Sequence, residues 1–147
     1  MRTWTATTIV EARPEAVLDV LTDPDAVARW APVPFDVDEL GSSRLRRGSR
    51  ARVSGRLAGR RVGFDVEVHE ADAGALSLSA HGPVAFDVRY DLAVGREPGH
   101  SEVRASVAVR NGRGFAGRLL AEATNALLAA GALDIAVGRI AREATTC

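Results

Sequence analysis

The side chains in this chain with the chemistry to act on a bound molecule are three histidines, one cysteine, one tyrosine and a few carboxylates near apolar segments. His69, His81 and His100 could hold a metal or carry protons near neutral pH. None forms an i, i+4 helical pair or a short-range ligand pattern, and each falls at a strand end or loop. Surface placement is the ordinary outcome there, so no metal and no other cofactor is expected. Cys147 is the last residue, a fraying position unsuited to a nucleophile. Being alone, it rules out a disulfide framework and a cysteine zinc site. The 19 basic residues are all arginine, which removes Schiff-base and lysine-nucleophile chemistry. No G-x-S-x-G elbow occurs. Tyr90 and Asp134 remain as candidates for proton transfer, or for orienting the hydroxyl of a ligand.

Two patterns suggest chemistry that their context does not support. Gly112-Arg113-Gly114-Phe115-Ala116-Gly117 matches G-x-G-x-x-G between a strand and a helix. A dinucleotide fold needs that helix to return to a parallel strand with an acidic residue about 20 positions on. Here the helix runs to the end of the chain, and the glycines read as easing a strand-to-helix bend. Eight arginines and no acid lie between Arg44 and Arg61. They could face an anion, a nucleic acid, a membrane or a protein partner along that edge, but a solvated outer face is the expected reading, since Arg50 and Arg52 have Glu67 and Asp65 as cross-strand partners. No aromatic is interleaved to stack bases, and the whole-chain net charge is +0. Nucleic acid is therefore not an expected partner.

The length, 46% hydrophobic and 26% charged residues are globular values for one domain spanning 1–147. Met1 leads into an alternating run rather than a secretory signal. With one unpaired cysteine, this suits a reducing compartment, and a cytoplasmic location is expected. The most apolar segment, Gly114 to Ile140, is broken by Arg118, Glu122, Asp134 and Arg139, so no membrane span is expected.

The elements follow from periodicity. Residues 3–11 alternate as a strand. Pro14 opens a short helix through Thr22, and Asp23-Pro24 restarts a second one that ends near Trp30. From Phe35 to Arg110 the pattern is strand after strand in an antiparallel meander. A turn at Ala58-Gly59 sets Arg52 opposite Asp65, Arg50 opposite Glu67 and Val53 opposite Phe64, so charges meet charges and hydrophobes meet hydrophobes. A loop at Glu70–Gly74 predicts Val68 beside Leu76 and Val66 beside Leu78. A turn at His81-Gly82-Pro83 predicts Leu78 beside Phe86. The loop around Gly95–Gly99 predicts Leu92 beside Val103 and Asp91 beside Arg104. Residues 114–143, without proline, predict one helix of about 30 residues. It places Arg118, Glu122, Asn125 and Ala136 on one side, with Leu120, Thr124, Leu127, Gly131 and Gly138 opposite. Asp134 lies near the latter line.

The order strand, two short helices, six strands and long helix resembles the START-like helix-grip superfamily (SRPBCC), which includes polyketide cyclase/dehydrase and lipid-transport proteins. Local phrases are similar too. Ala12-Arg13-Pro14-Glu15-Ala16-Val17 resembles its first helix opening, and Leu21-Thr22-Asp23-Pro24 with Ala28-Arg29-Trp30 its helix junction. Gly48-Ser49-Arg50 and Gly59-Arg60-Arg61-Val62 resemble the start of a strand and a hairpin. The resemblance implies an α+β helix-grip fold: a seven-stranded antiparallel sheet wrapped around a long C-terminal helix. It also implies a cavity between them, entered near the short helices and loops.

The register turns Phe64, Val66, Leu78, Phe86, Val88 and Tyr90 inward, and the helix offers Thr124, Leu127, Gly131 and Asp134 to the same space. Trp30 and Trp4 fall at its rim or base. From the residues alone, small side chains and glycines fit a void for a ligand or close helix–sheet packing equally well; the resemblance implies the void. Asp134 could be an inner anchor or a base, or it could lean to the helix flank and meet Arg142 or water. The expected function is binding of a small hydrophobic, lipid- or polyketide-like molecule by a carrier, sensor or sequestering protein. The alternative is an aromatase/cyclase acting on a poly-β-keto chain, with Tyr90 and Asp134 assisting proton transfer.

Overall fold

Alternating apolar and polar side chains make strands that bury one face only, and this chain repeats that pattern from its first residues. The computed structural model describes residues 2–23, 25–26, 35–40, 45–57, 59–72, 74–110 and 114–145. The elements are β1 (Arg2–Val10), α1 (Pro14–Thr22), β2 (Phe35–Leu40), β3 (Arg50–Leu57), β4 (Arg60–Asp72), β5 (Ala75–His81), β6 (Ala85–Val94), β7 (Ser101–Arg110), α2 (Gly114–Ala129) and α3 (Ala132–Thr145). The strands form one antiparallel sheet in the order β1-β7-β6-β5-β4-β3-β2. Of the second short helix expected between Asp23 and Trp30, Asp25 and Ala26 are described and helical; the rest, with Trp30, lies outside the described residues.

Along β4, Val62, Phe64, Val66 and Val68 are buried, while Arg61, Gly63 and Asp65 between them are exposed. β7 buries Val103, Ala105, Val107 and Val109 in the same rhythm. Each large side chain of this kind contributes roughly 1.5–3 kcal/mol when taken fully from water. Pro14 starts α1, where its missing N–H costs nothing. The Arg13 carbonyl accepts from the amides of Ala16 and Val17, and α1 turns Val17, Val20 and Leu21 into the core. α1 packs against β4, β5 and β6 and against α3.

The β3–β4 register is as expected, with Arg52 opposite Asp65, Val53 opposite Phe64 and Leu57 opposite Arg60. So is β6–β7, with Leu92 opposite Val103 and Asp91 opposite Arg104. The two pairings between them differ from expectation by two residues. Val68 lies opposite Leu78 and Val66 opposite Ala80; Leu78 lies opposite Val88 and Ala80 opposite Phe86. β4 runs on to Asp72, past a bulge between Val68 and Glu70 that leaves His69 unpaired in the ladder. The turn closes on the Asp72 side chain, whose Oδ1 accepts from the amides of Gly74 and Ala75. A shift of two preserves the inward face, because the side-chain period is two.

The long C-terminal helix is two helices, α2 and α3, bent by 60°. The break lies at Gly131, whose φ of 96° is left-handed and closes α2 as glycine commonly does just past a helix end. Its amide donates to the Leu128 carbonyl, and its own carbonyl accepts from Ile135 to begin α3. The break re-phases the second half. Ala136, expected on the polar side, is fully buried, with Leu133, Val137 and Ile140 beside it.

Candidate functional site

The concave face of the sheet carries its side chains in cross-strand rows. One row is Leu76 and Tyr90 with Ala105, and another is Val66 and Ala80 with Phe86. Both are closed: Leu76 is 0% exposed, Tyr90 1% and Phe86 8%. Between them lies the row of Val68, Leu78, Val88 and Val107. Here Leu78 and Val88, directly opposite one another in the middle of the sheet, are only half-buried. Val53 on β3 and Trp4 on β1 are half-buried on the same face. Apolar surface left accessible at the centre of a sheet, between two closed rows, is not what close helix–sheet packing produces.

α2 covers this face in a particular way. It touches β7 and β1 on one flank and β3 on the other, with no comparable contact to β4, β5 or β6 beneath it. Its inner side is narrow, presenting Gly117, Leu120, Ala121, Thr124 and Leu128. α3 instead packs on β1 and α1. The closest approaches of α2 are thus to strands on either side of the sheet's middle.

Polar groups at this face are few. The Tyr90 phenol is buried, and loss of solvent pushes its pKa up from the ordinary value, so it stays a neutral hydroxyl near neutral pH. The Thr124 hydroxyl donates to the Leu120 carbonyl within its own helix. Trp4 donates from its indole Nε1 to Asn125 Oδ1 at 3.0 Å, tying β1 to α2, while the Arg2 guanidinium sits 4.8 Å above the Trp4 ring. At one end, Phe64 and Phe86 pack against each other with ring centroids 5.3 Å apart.

Of the residues expected to line the space, Phe64, Val66, Leu78, Phe86, Val88, Tyr90 and Thr124 are on the inner side of the sheet or of α2. Three are elsewhere. Leu127 is 41% exposed, on the outer side of α2, because Leu128 takes the inward position. Gly131 is the hinge rather than a narrow spot over the sheet. Asp134 is exposed in the first turn of α3, where a carboxylate complements the helix dipole. Trp30 lies outside the described residues. Asn125 was not anticipated; the periodicity set it among the polar residues, and no local pattern marks it as a partner of Trp4.

The outer face holds the charged ladder. Arg52 and Asp65 approach to 4.0 Å, both well exposed. Asp91 is held not by Arg104 but by Arg89 on its own strand, at 2.8 Å. His69 meets the buried Ser79 hydroxyl at 2.9 Å. Among the described residues, no group of three or more histidine, cysteine or acidic side chains could hold a metal ion. No single helix among them is long and apolar enough to cross a membrane.

The sequence profile of the family described as polyketide cyclase / dehydrase and lipid transport matches residues 1–144. No curated protein matches the chain. Among solved structures, TTHA0849 from Thermus thermophilus is similar with a TM-score of 0.72 at 15% identity, covering 99% of this chain and 98% of its own. The Zhui aromatase/cyclase from Streptomyces sp. R1128 is similar with a TM-score of 0.65 at 16% identity, covering 96% and 94%. Protein CV1439 from Chromobacterium violaceum gives 0.64 at 17% identity, covering 94% and 96%. At these identities the likeness is one of fold.

Proposed function

Because the chain belongs to the polyketide cyclase / dehydrase and lipid transport family, we propose that it binds a small apolar molecule between the sheet and α2, as a carrier, sensor or sequestering protein. The observation that carries this reading is the half-buried pair Leu78 and Val88 at the centre of the concave face, under a helix whose closest approaches are to β1, β7 and β3. A lipid- or polyketide-like ligand lying along that row would bury apolar surface that the fold leaves open, at roughly 25 cal/mol per Å². Tyr90, buried and neutral, forms part of the apolar wall beside that row.

Binding is favoured over catalysis by the charge inventory. Asp134, the one carboxylate considered as an internal base, is exposed. Among the described residues, the polar groups on the concave side (Tyr90, Thr8, Ser101, Thr124 and the Trp4 indole) include no acid. The aromatase/cyclase reading is supported by the fold likeness to the Zhui enzyme; it would use the interior to fold a poly-β-keto chain.

Native mass spectrometry of the gently purified protein tests the proposal. A mass increment removed by organic extraction, identified as a lipid or polyketide, is expected. A homogeneous apo mass that also takes up no fatty acid or aromatic polyketide on incubation would count against it.

A further inference from the structure

The net charge of +0 hides a local excess of arginine at one end of the sheet. Arg110 pairs with Ala85, Ala85 with His81, His81 with Asp65 and Asp65 with Arg52. These positions mark one end of the sheet, and the β3–β4 hairpin continues past them to Leu57 opposite Arg60. Below the tip the arginines meet acids, Arg52 opposite Asp65 and Arg50 opposite Glu67. At the tip the matching stops. Arg56 lies directly opposite Arg61, an arrangement of like charges that costs stability, and Arg60 follows at the turn. Arg61 bonds the Ser54 hydroxyl, and among the described residues no acid lies opposite Arg56, Arg60 or Arg61 in the ladder. The opposite end is mixed: Glu11, Glu70, Asp72, Glu97 and Glu102 stand there among Arg13, Arg46, Arg47, Arg89 and Arg96, and Arg89 meets Glu70 at 3.5 Å.

α2 begins at the basic end, shortly after Arg110. Its first two turns expose Phe115 at 83% and Leu119 at 52%, which share one side of the helix, with the exposed Arg118 beside them. Large apolar side chains standing in water, with an arginine beside them and an arginine-rich hairpin tip at the same end of the sheet, are the composition of a surface that sits on an anionic bilayer. The aromatic enters the boundary between headgroups and chains, and the guanidinium groups stay with the phosphates.

We propose that this end of the molecule, the β3–β4 tip with the first turns of α2, docks peripherally on an anionic lipid surface. Arg56 and Arg61, facing each other rather than an acid, supply the attraction, and Phe115 supplies the insertion. A purely acidic protein partner would use the arginines but leaves Phe115 and Leu119 unexplained. The surface is separate from the interior, so docking does not depend on the interior holding a ligand.

The test is co-sedimentation of the full chain with phosphatidylcholine vesicles, with and without phosphatidylserine. Retention on the anionic vesicles and little on the neutral ones is expected, declining as salt rises. Arg56→Glu places a carboxylate opposite Arg61, so the variant should keep or raise its melting temperature while losing about tenfold or more in vesicle affinity. Phe115→Ser should weaken binding severalfold without touching stability, because the side chain is exposed. Absence of wild-type binding, equal retention on both vesicle types, or an Arg56→Glu variant that binds like the wild type would overturn the proposal. So would tight binding to poly-glutamate with none to vesicles, which would assign the tip to an acidic protein.

Discussion

The indole Nε1 of Trp4 donates to the amide oxygen of Asn125 at 3.0 Å, joining the edge strand β1 to α2 across 121 positions of sequence. A hydrogen bond of this kind contributes about 1 kcal/mol net, and leaving a half-buried indole without its acceptor costs more than the bond's own worth. Asn125→Ala should therefore lower the melting temperature by about 3 °C, at roughly 2–4 °C per kcal/mol for a domain of this size. Thermal unfolding followed by circular dichroism measures it. An unchanged midpoint would mean the clasp does not hold α2 in place.

Two glycines in the C-terminal region should respond to the same substitution with opposite signs. Gly131 has a φ of 96°, with no atom nearer than Asp134 Oδ2 at 4.0 Å to an added Cβ. Gly131→Ala is thus limited by the backbone alone and should cost about 1–2 kcal/mol. Gly138 lies within α3 with nothing within 4 Å of an added Cβ. Gly138→Ala should stabilise by about 0.5–1 kcal/mol through helix propensity and reduced chain entropy. Urea unfolding of the two variants side by side settles the order. A single unbroken helix would make both substitutions stabilising.

Tyr90 is the only tyrosine, and no lysine is present, so the alkaline range is unusually clean. Burial raises the folded pKa of the phenol above its unfolded value near 10. Below about pH 10 the group is protonated in both states and contributes no pH dependence. Above it the unfolded chain releases a proton that the folded protein retains, so stability falls by up to about 1.4 kcal/mol per pH unit. The decline begins as pH passes the unfolded value and continues until the folded pKa is reached. Tyrosinate absorbance should therefore appear together with loss of the folded signal, and Tyr90→Phe should flatten the decline. Tyrosinate forming in a fully folded protein would show that the phenol is not sealed from water.

The fold was legible where local chemistry and long-range pairing agreed. The β3–β4 register could be read because Gly59 marks the turn, and charges and hydrophobes match at the rungs from Val53 and Phe64 down to Arg50 and Glu67. The β4–β5 register could not, since the bulge at His69 inserts a residue without changing the apolar rhythm that announces a strand. The C-terminal break was hidden for a related reason. Gly131 sits in a run of alanine and leucine that is compatible with a helix passing through it. The signal available was the glycine followed by Asp134 in the first turn of a new helix. Missing it turned Leu127, Gly131 and Asp134 toward the interior on paper, whereas the sheet residues of the candidate site, fixed by parity alone, were placed on the correct face. The Trp4–Asn125 contact has no signature in sequence, since it depends on where a helix lands across the edge strand.

The central claim is that the space over Leu78 and Val88 takes an apolar ligand, and Val88→Phe examines it most directly. The added ring projects into the row that is half-buried. With open space there, the variant should keep its melting temperature within a few degrees of the wild type, which itself binds an apolar fluorescent probe with blue-shifted emission. The variant's affinity for that probe should fall by about tenfold or more, equivalent to about 1.4 kcal/mol. If the row is instead close-packed, the ring overfills the core at a cost of about 1–3 kcal/mol. A wild type that binds no probe, together with a variant that unfolds several degrees lower, would contradict the account.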